Sequence, residues 1–113
     1  MIDNEQRAAV FAFNQRAGTL SKTAQGFIFV YEPTYLKSPE AHPISFSLPL
    51  REKAYECPRL FSFFDGLLPE GWLLDLTAKA AKIDKTDKFR LLLHTGRDPV
   101  GAVSVRPITY NEK

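Results

Sequence analysis

The sequence predicts an α+β fold, an antiparallel sheet of about five strands with two to three helices packed on it. Two observations carry this expectation. Residues 8–13 and 26–31 are runs of aromatic, β-branched and alanine residues bounded by turn chemistry, as strands are. From Pro58 onward, leucine and phenylalanine recur at helical spacing as far as Gly96, after which alternation returns. Strands, then helices, then one last strand is the order of segregated layers rather than of alternating βαβ units.

Each element has its own signal. Between the first two strands "NQRAGTLSKT" places Asn14 and Gln15 in a tight turn and a polar strand over residues 16–21, giving a meander with one wet face. "YEPTYLKSPEAHP" carries Pro33, Pro39 and Pro43 and reads as a surface connection with one helical turn over residues 34–37. In "ISFSLPL" Ile44, Phe46 and Leu48 alternate with Ser45 and Ser47, the pattern of a half-buried strand that Pro49 ends or confines to an edge. Pro58 suits the first position of a helix, where its missing N–H is not needed. Leu60, Phe61, Phe63, Phe64, Leu67 and Leu68 then form one apolar face, which Pro69 terminates. A second helix is expected over residues 71–82, with Leu73, Leu76, Ala80 and Ile83 inward. A third opens at residues 84–86, carries Phe89, Leu92 and Leu93, and closes at Gly96 as a left-handed cap. "AVSVRPI" is the last strand, with Val103 and Val105 inward.

Composition bounds the function more than it names it. A chain of 113 residues, 44% hydrophobic and 25% charged, fits one folded domain over residues 1–113. The formal charge of +2 is too even to demand a nucleic-acid or membrane partner. Cys57 is the only cysteine, so no intramolecular disulfide is available, and the N-terminus lacks the basic and apolar run of a signal peptide. A cytoplasmic location is the expectation.

Patterns that would signal catalysis fail on spacing. Gly66 and Gly71 match the glycines of a phosphate-binding loop, but Trp72 and Leu73 stand where Lys and Ser/Thr would hold phosphate and magnesium. His42, Cys57 and His94 are too far apart for a short metal-ligand motif. "HTGRD" lacks the order and the following asparagine of a kinase catalytic loop, and His94 suits a helix C-terminus. Lys79, Lys82, Lys85 and Lys88 form a basic row, but Asp75, Asp84 and Asp87 interleave with it, as on a solvated helix face. The strands lack the basic-Gly-aromatic run of an RNA-binding sheet. No catalytic residue, cofactor or metal is expected.

Trp72, the only tryptophan, follows directly on the "LPEG" helix break. At 100° per residue it falls at the margin of the second helix's expected inner face beside Lys79, with Leu74 farther round. It reads either as a lid on the core or as an anchor for a partner, tryptophan being enriched among interface hot spots.

"SFSLPL", "FSFFDGLLPEG" and "LLLHTGRDPVGAVSVRP" together resemble the N-terminal subdomain of HipA-type serine/threonine kinases, the toxins of bacterial persistence modules. The resemblance runs from the first strand to Pro107. In it Leu67, Leu68 and Pro69 close a helix on the sheet, and Gly96 and Gly101 bracket the turn into the last strand. HipA-like toxins fuse this subdomain to a larger kinase body. The present chain ends soon after the last motif, so that body is expected to be absent, which is similar to the small HipS components of three-part HipBST modules. The resemblance implies an antitoxin without catalysis. Its partners are a HipT-like kinase that lacks this subdomain and, in a ternary complex, a HipB-like DNA-binding protein, with no direct nucleic-acid or membrane contact. It equally admits a complementing subunit needed for the folding or activity of a split kinase. The expected partner-binding residues are Trp72, Glu70, Gly71, Leu74 and Asp75.

Overall fold

The computed structural model describes residues 6–96 and 103–108. Five antiparallel strands form one sheet in the order β4-β3-β2-β1-β5, with β1 at Gln6–Ala12, β2 at Gln15–Thr23, β3 at Gly26–Tyr31, β4 at Tyr55–Cys57 and β5 at Val103–Pro107. Helix α1 is Pro33–Leu36, α2 Ser62–Asp65, α3 Gly71–Ala81 and α4 Lys88–Thr95. Two of these are full helices and two are single turns. The expected α+β architecture holds, and the last strand returns to pair with the first, Val10 opposite Val105.

Period-2 alternation decides which face of the sheet is covered. Register sets Ala8 opposite Leu20 and Leu20 opposite Phe29, and all three are fully buried. Phe64 of α2 packs on Phe29 at 5.8 Å between ring centroids, and Phe89 of α4 on Phe27 at 6.1 Å. Each fully buried ring of this kind stabilises by about 1.5–3 kcal/mol. The other face has no helix over it. There Arg16 donates to Thr19 and Thr19 to Glu32, and the Arg106 guanidinium lies 4.7 Å above the Phe11 ring. This is the wet face of the meander.

Several expectations need correction. The β1–β2 turn is centred one residue earlier than Asn14-Gln15, on Phe13 (φ 53°) and Asn14 (φ 68°). Both lie in the left-handed region that a two-residue hairpin turn demands. "ISFSLPL" is not a strand. The buried Tyr31 hydroxyl accepts from the Ile44 N–H at 3.1 Å and donates to the Leu48 carbonyl, and the Leu48 N–H closes a turn on the Ser45 carbonyl at 3.0 Å. Ile44 and Leu48 are therefore buried as the two feet of a turn, and Phe46 at its tip is fully exposed rather than inward. The edge strand is instead the three-residue β4, paired through Phe27–Cys57 and Phe29–Tyr55, too short to show a period.

The helical corrections have local causes. Pro58 does not open a helix. Phe61 stays extended (φ −55°, ψ 141°) and caps α2, which is only four residues long. Its ring meets Phe64 edge-on at 6.2 Å, and Phe63 meets Phe64 at 5.2 Å. Gly96 ends α4 in a right-handed conformation, φ −77°. Glycine is needed there for closeness, because a Cβ would stand 2.7 Å from the Leu92 carbonyl oxygen and 3.1 Å from the Val105 Cβ. The left-handed cap is Lys82 at the end of α3, φ 59°. Gly101 and the end of "HTGRD" lie outside the described residues.

Two predictions follow from the turn chemistry. Tyr31→Phe leaves the Ile44 N–H and Leu48 carbonyl without a partner and is expected to destabilise by about 1–3 kcal/mol in urea unfolding. Burial also raises the Tyr31 phenol above its ordinary value of 10.0. The folded state then holds this proton more tightly than the unfolded chain, so its stability contribution is intact below about pH 10 and lost as pH rises through the raised value. That alkaline loss should be smaller in the Phe variant. Phe13→Asn should raise stability by about 0.5–1 kcal/mol, seen as a higher urea midpoint at unchanged slope, because asparagine tolerates the left-handed conformation better.

Candidate protein-docking site

The site is built by a sharp corner followed by a helix. After Pro69, Glu70 is extended (φ −121°, ψ 162°) and provides no side-chain cap to α3. Gly71 then takes φ +58°, with no atom within 4 Å of where a Cβ would stand, so glycine serves the backbone conformation rather than the space. The chain turns abruptly at Gly71, and Trp72 is the next side chain. At the far end the Ile83 N–H closes on the Ala78 carbonyl at 2.9 Å around the left-handed Lys82. This is the geometry of a Schellman-type stop.

Helix α3 faces the opposite way from its expected orientation. Ala78 is buried, and Leu74 and Ile83 pack half-buried against the core. Leu73, Leu76 and Ala80, expected inward, point out, with Leu73 at 49% and Leu76 at 54% exposure and Trp72 at 73%. The helix is held down by Leu74, Ala78 and Ile83, and Trp72, Leu73 and Leu76 are left on the outer side. Trp72, Leu76 and Ala80 follow one another at intervals of four, and Leu73 flanks them, which makes one continuous apolar ridge. Leu67, expected to help close the core, is also exposed and precedes the corner.

The expected partner-binding residues divide on this geometry. Trp72, Glu70 and Gly71 are exposed at the corner. Asp75 is exposed, but its carboxylate accepts from Lys85 at 3.1 Å, tying α3 to the segment before α4. Leu74 is half-buried and packs against the core, on a different side of α3 from Trp72, Leu73 and Leu76. Leu73 and Leu76 are the outward residues that sequence reasoning missed. Periodicity alone does not find them, because the buried Ala78 and half-buried Ala81 on the opposite side carry less apolar area than the leucines.

The remaining candidates stay apart. His42 uses its backbone N–H and carbonyl on the Tyr35 hydroxyl, at 3.1 and 2.7 Å, Cys57 sits half-buried in β4, and His94 is exposed in the last turn of α4. Among the described residues no group of three or more His, Cys, Asp or Glu side chains is placed to hold a metal ion. The basic row disperses: Lys85 pairs with Asp75, Lys88 with Asp65 at 2.9 Å, and Lys82 forms the cap. No helix among the described residues is long and apolar enough to cross a membrane.

Comparison with known proteins agrees with this architecture. A solved structure described as the N-terminal domain of HipA toxin superposes with a TM-score of 0.74 at 29% sequence identity, covering 98% of this chain and 100% of that one. An uncharacterised protein of Haemophilus influenzae is 35% identical over 106 residues, which are 94% of this chain and 96% of that protein. A putative kinase of Sinorhizobium fredii, Y4mE, is 34% identical over 79 residues, 70% of this chain but only 19% of the kinase. The family model for the HipA N-terminal domain matches residues 8–106. The chain belongs to the HipA N-terminal domain family.

Proposed function

We propose that this protein is a binding subunit that docks on a HipA-like serine/threonine kinase through the outer ridge of α3 and inhibits it, acting as the antitoxin of a HipBST-type module. The observation that carries the reading is the exposure of Trp72, Leu73 and Leu76 side by side on a helix start whose direction the Gly71 corner sets. An exposed tryptophan held on regular backbone is the kind of residue enriched among interface hot spots, and the leucines beside it would supply apolar area that excludes water. Its position in the first turn lets the indole project past the helix end, where it would press on the kinase's nucleotide-binding lobe and keep its loops from closing. The kinase would be of the HipT type, lacking this domain, with a HipB-like DNA-binding protein as third member. The Haemophilus relative supports a subunit role because there the matched segment is 96% of the protein.

One observation favours a second reading. In the Sinorhizobium protein the matched segment is part of a much longer putative kinase, so the ridge could instead complete a split kinase that needs this domain for folding or activity. Titration of the purified protein into a short HipA-like kinase, following phosphate transfer from ATP, separates the two. A dose-dependent fall to near zero is the expected outcome, whereas unchanged or rising activity would reject inhibition in favour of complementation.

Trp72→Ala should leave the stability of the free protein within about 0.5 kcal/mol, because the indole is mostly exposed. The same change should weaken kinase binding by about 2 kcal/mol or more, roughly thirtyfold, in a calorimetric titration. Binding and inhibition equal to the parent's would remove Trp72 from the interface. DNA affinity without a steep salt dependence would agree with the absence of a direct nucleic-acid role.

A further inference from the structure

A groove of about 570 Å³ opens on the helical side between β2, the Pro58 corner and the start of α4. Lys22, Arg59 and Lys88 line it, against one carboxylate, Asp65. Its apolar part is made by Phe27, Pro58 and Leu60, and the Ser62 hydroxyl lies on its wall. That size and mixture, apolar surface with a few converging polar groups, is characteristic of small-molecule sites.

The charges around the groove are unevenly committed. Asp84 and Asp87 adjoin it without lining it, and both are engaged with backbone. Asp84 accepts from the Thr86 N–H and hydroxyl, at 2.8 and 2.7 Å, and Asp87 caps α4 by accepting from the Arg90 N–H at 3.3 Å. The two lysines make half-exposed ion pairs, Lys88 with Asp65 at 2.9 Å and Lys22 with Asp87 at 3.9 Å. Pairs of this kind contribute little and exchange partners readily. Arg59 has no carboxylate partner among the described residues, and its guanidinium has the planar fork that takes two oxygens of one anion.

From this arrangement we infer that the groove binds a phosphate monoester carrying a flat apolar body of mononucleotide size, its phosphate on Arg59, Lys22 and Lys88 and its body on Phe27 and Leu60. A sulfate-sized anion alone would leave the apolar part in water. An uncharged ring would leave Arg59 without a counter-charge. The inference concerns the free protein and stands apart from the kinase reading, since neither Trp72 nor the α3 ridge lines the groove.

The test uses the full chain without any partner. Adenosine monophosphate is titrated up to about 10 mM with adenosine and inorganic phosphate in parallel, followed by amide chemical shifts and calorimetry. Saturable shifts at Phe27, Ser62 and Lys88 with the monophosphate, and at least about fivefold weaker binding by Arg59→Ala, are expected. Lys37→Ala, on an exposed residue after α1, should bind like the parent. Failure of the monophosphate to bind, equal binding of adenosine or of inorganic phosphate, or an unaffected Arg59→Ala would each overturn the assignment.

Discussion

The inward rings of β3 are the constraint on which the rest of the structure depends. Phe29 lies directly over Gly18 of β2, where a Cβ would stand 2.8 Å from the ring and 2.5 Å from the Val30 carbonyl oxygen. No side chain other than glycine's hydrogen fits at that crossing. Phe29 then meets Tyr31 edge-on at 4.9 Å and Phe64 at 5.8 Å, while Tyr31 stacks parallel to Tyr35 at 6.1 Å. One strand thus positions α2 through Phe64, α1 through Tyr35 and the 44–48 turn through the Tyr31 hydroxyl. Aromatic pairs of this geometry are worth about 0.5–1.5 kcal/mol each beyond the area they bury.

Helix α3 is attached on different terms. Its contact with the core rests on Leu74, Ala78 and Ile83, and the Asp75–Lys85 pair that ties it sideways is exposed at both ends. A helix with apolar residues on two faces calls for cover on both, and the described residues of the fold supply cover for one. The unmet side is the one with the larger side chains. Leu74 and Ala78, with Ile83 just beyond the helix, set the covered face, and Trp72, Leu73 and Leu76 are left uncovered.

That division explains what was legible in the sequence. Strands β1, β2 and β3 could be read because each runs over six or more residues and their turns carry Asn14 and Gly26. Helix α4 could be read because Phe89 and Leu92 fall on one side, although it starts at Lys88 behind the Asp87 cap rather than at the expected residues 84–86. The 44–48 turn could not, since two buried feet four residues apart imitate a strand, and the tyrosine that makes them a turn stands 13 residues earlier. Helix α3 was inverted because periodicity weighs side-chain area, and Leu73 and Leu76 outweigh Ala78 and Ala81. Trp72 is exposed, which removes the reading of it as a lid on the core, while Leu74, expected among the partner-binding residues, packs half-buried against the core. Arg59 and Lys22 are 37 residues apart in the chain and meet only across the β2–α2 junction.

The size of the α3 ridge limits how it can work. Stable protein interfaces bury about 800 Å² on each partner, and four side chains on one helix supply only the central part of such an area. A partner seated on Trp72, Leu73 and Leu76 must also cover the ground beside them, which is Leu67 and the Glu70-Gly71 corner at one end and the Asp75–Lys85 pair along one flank. That surrounding is polar and exposed, as the rim of a hot spot is, and contributes more to excluding water than to energy. Because the Gly71 corner already sets the direction of Trp72, docking orders little backbone at this end of the helix. In the proposed docking the ridge would be a small anchor whose affinity comes from being held in place beforehand.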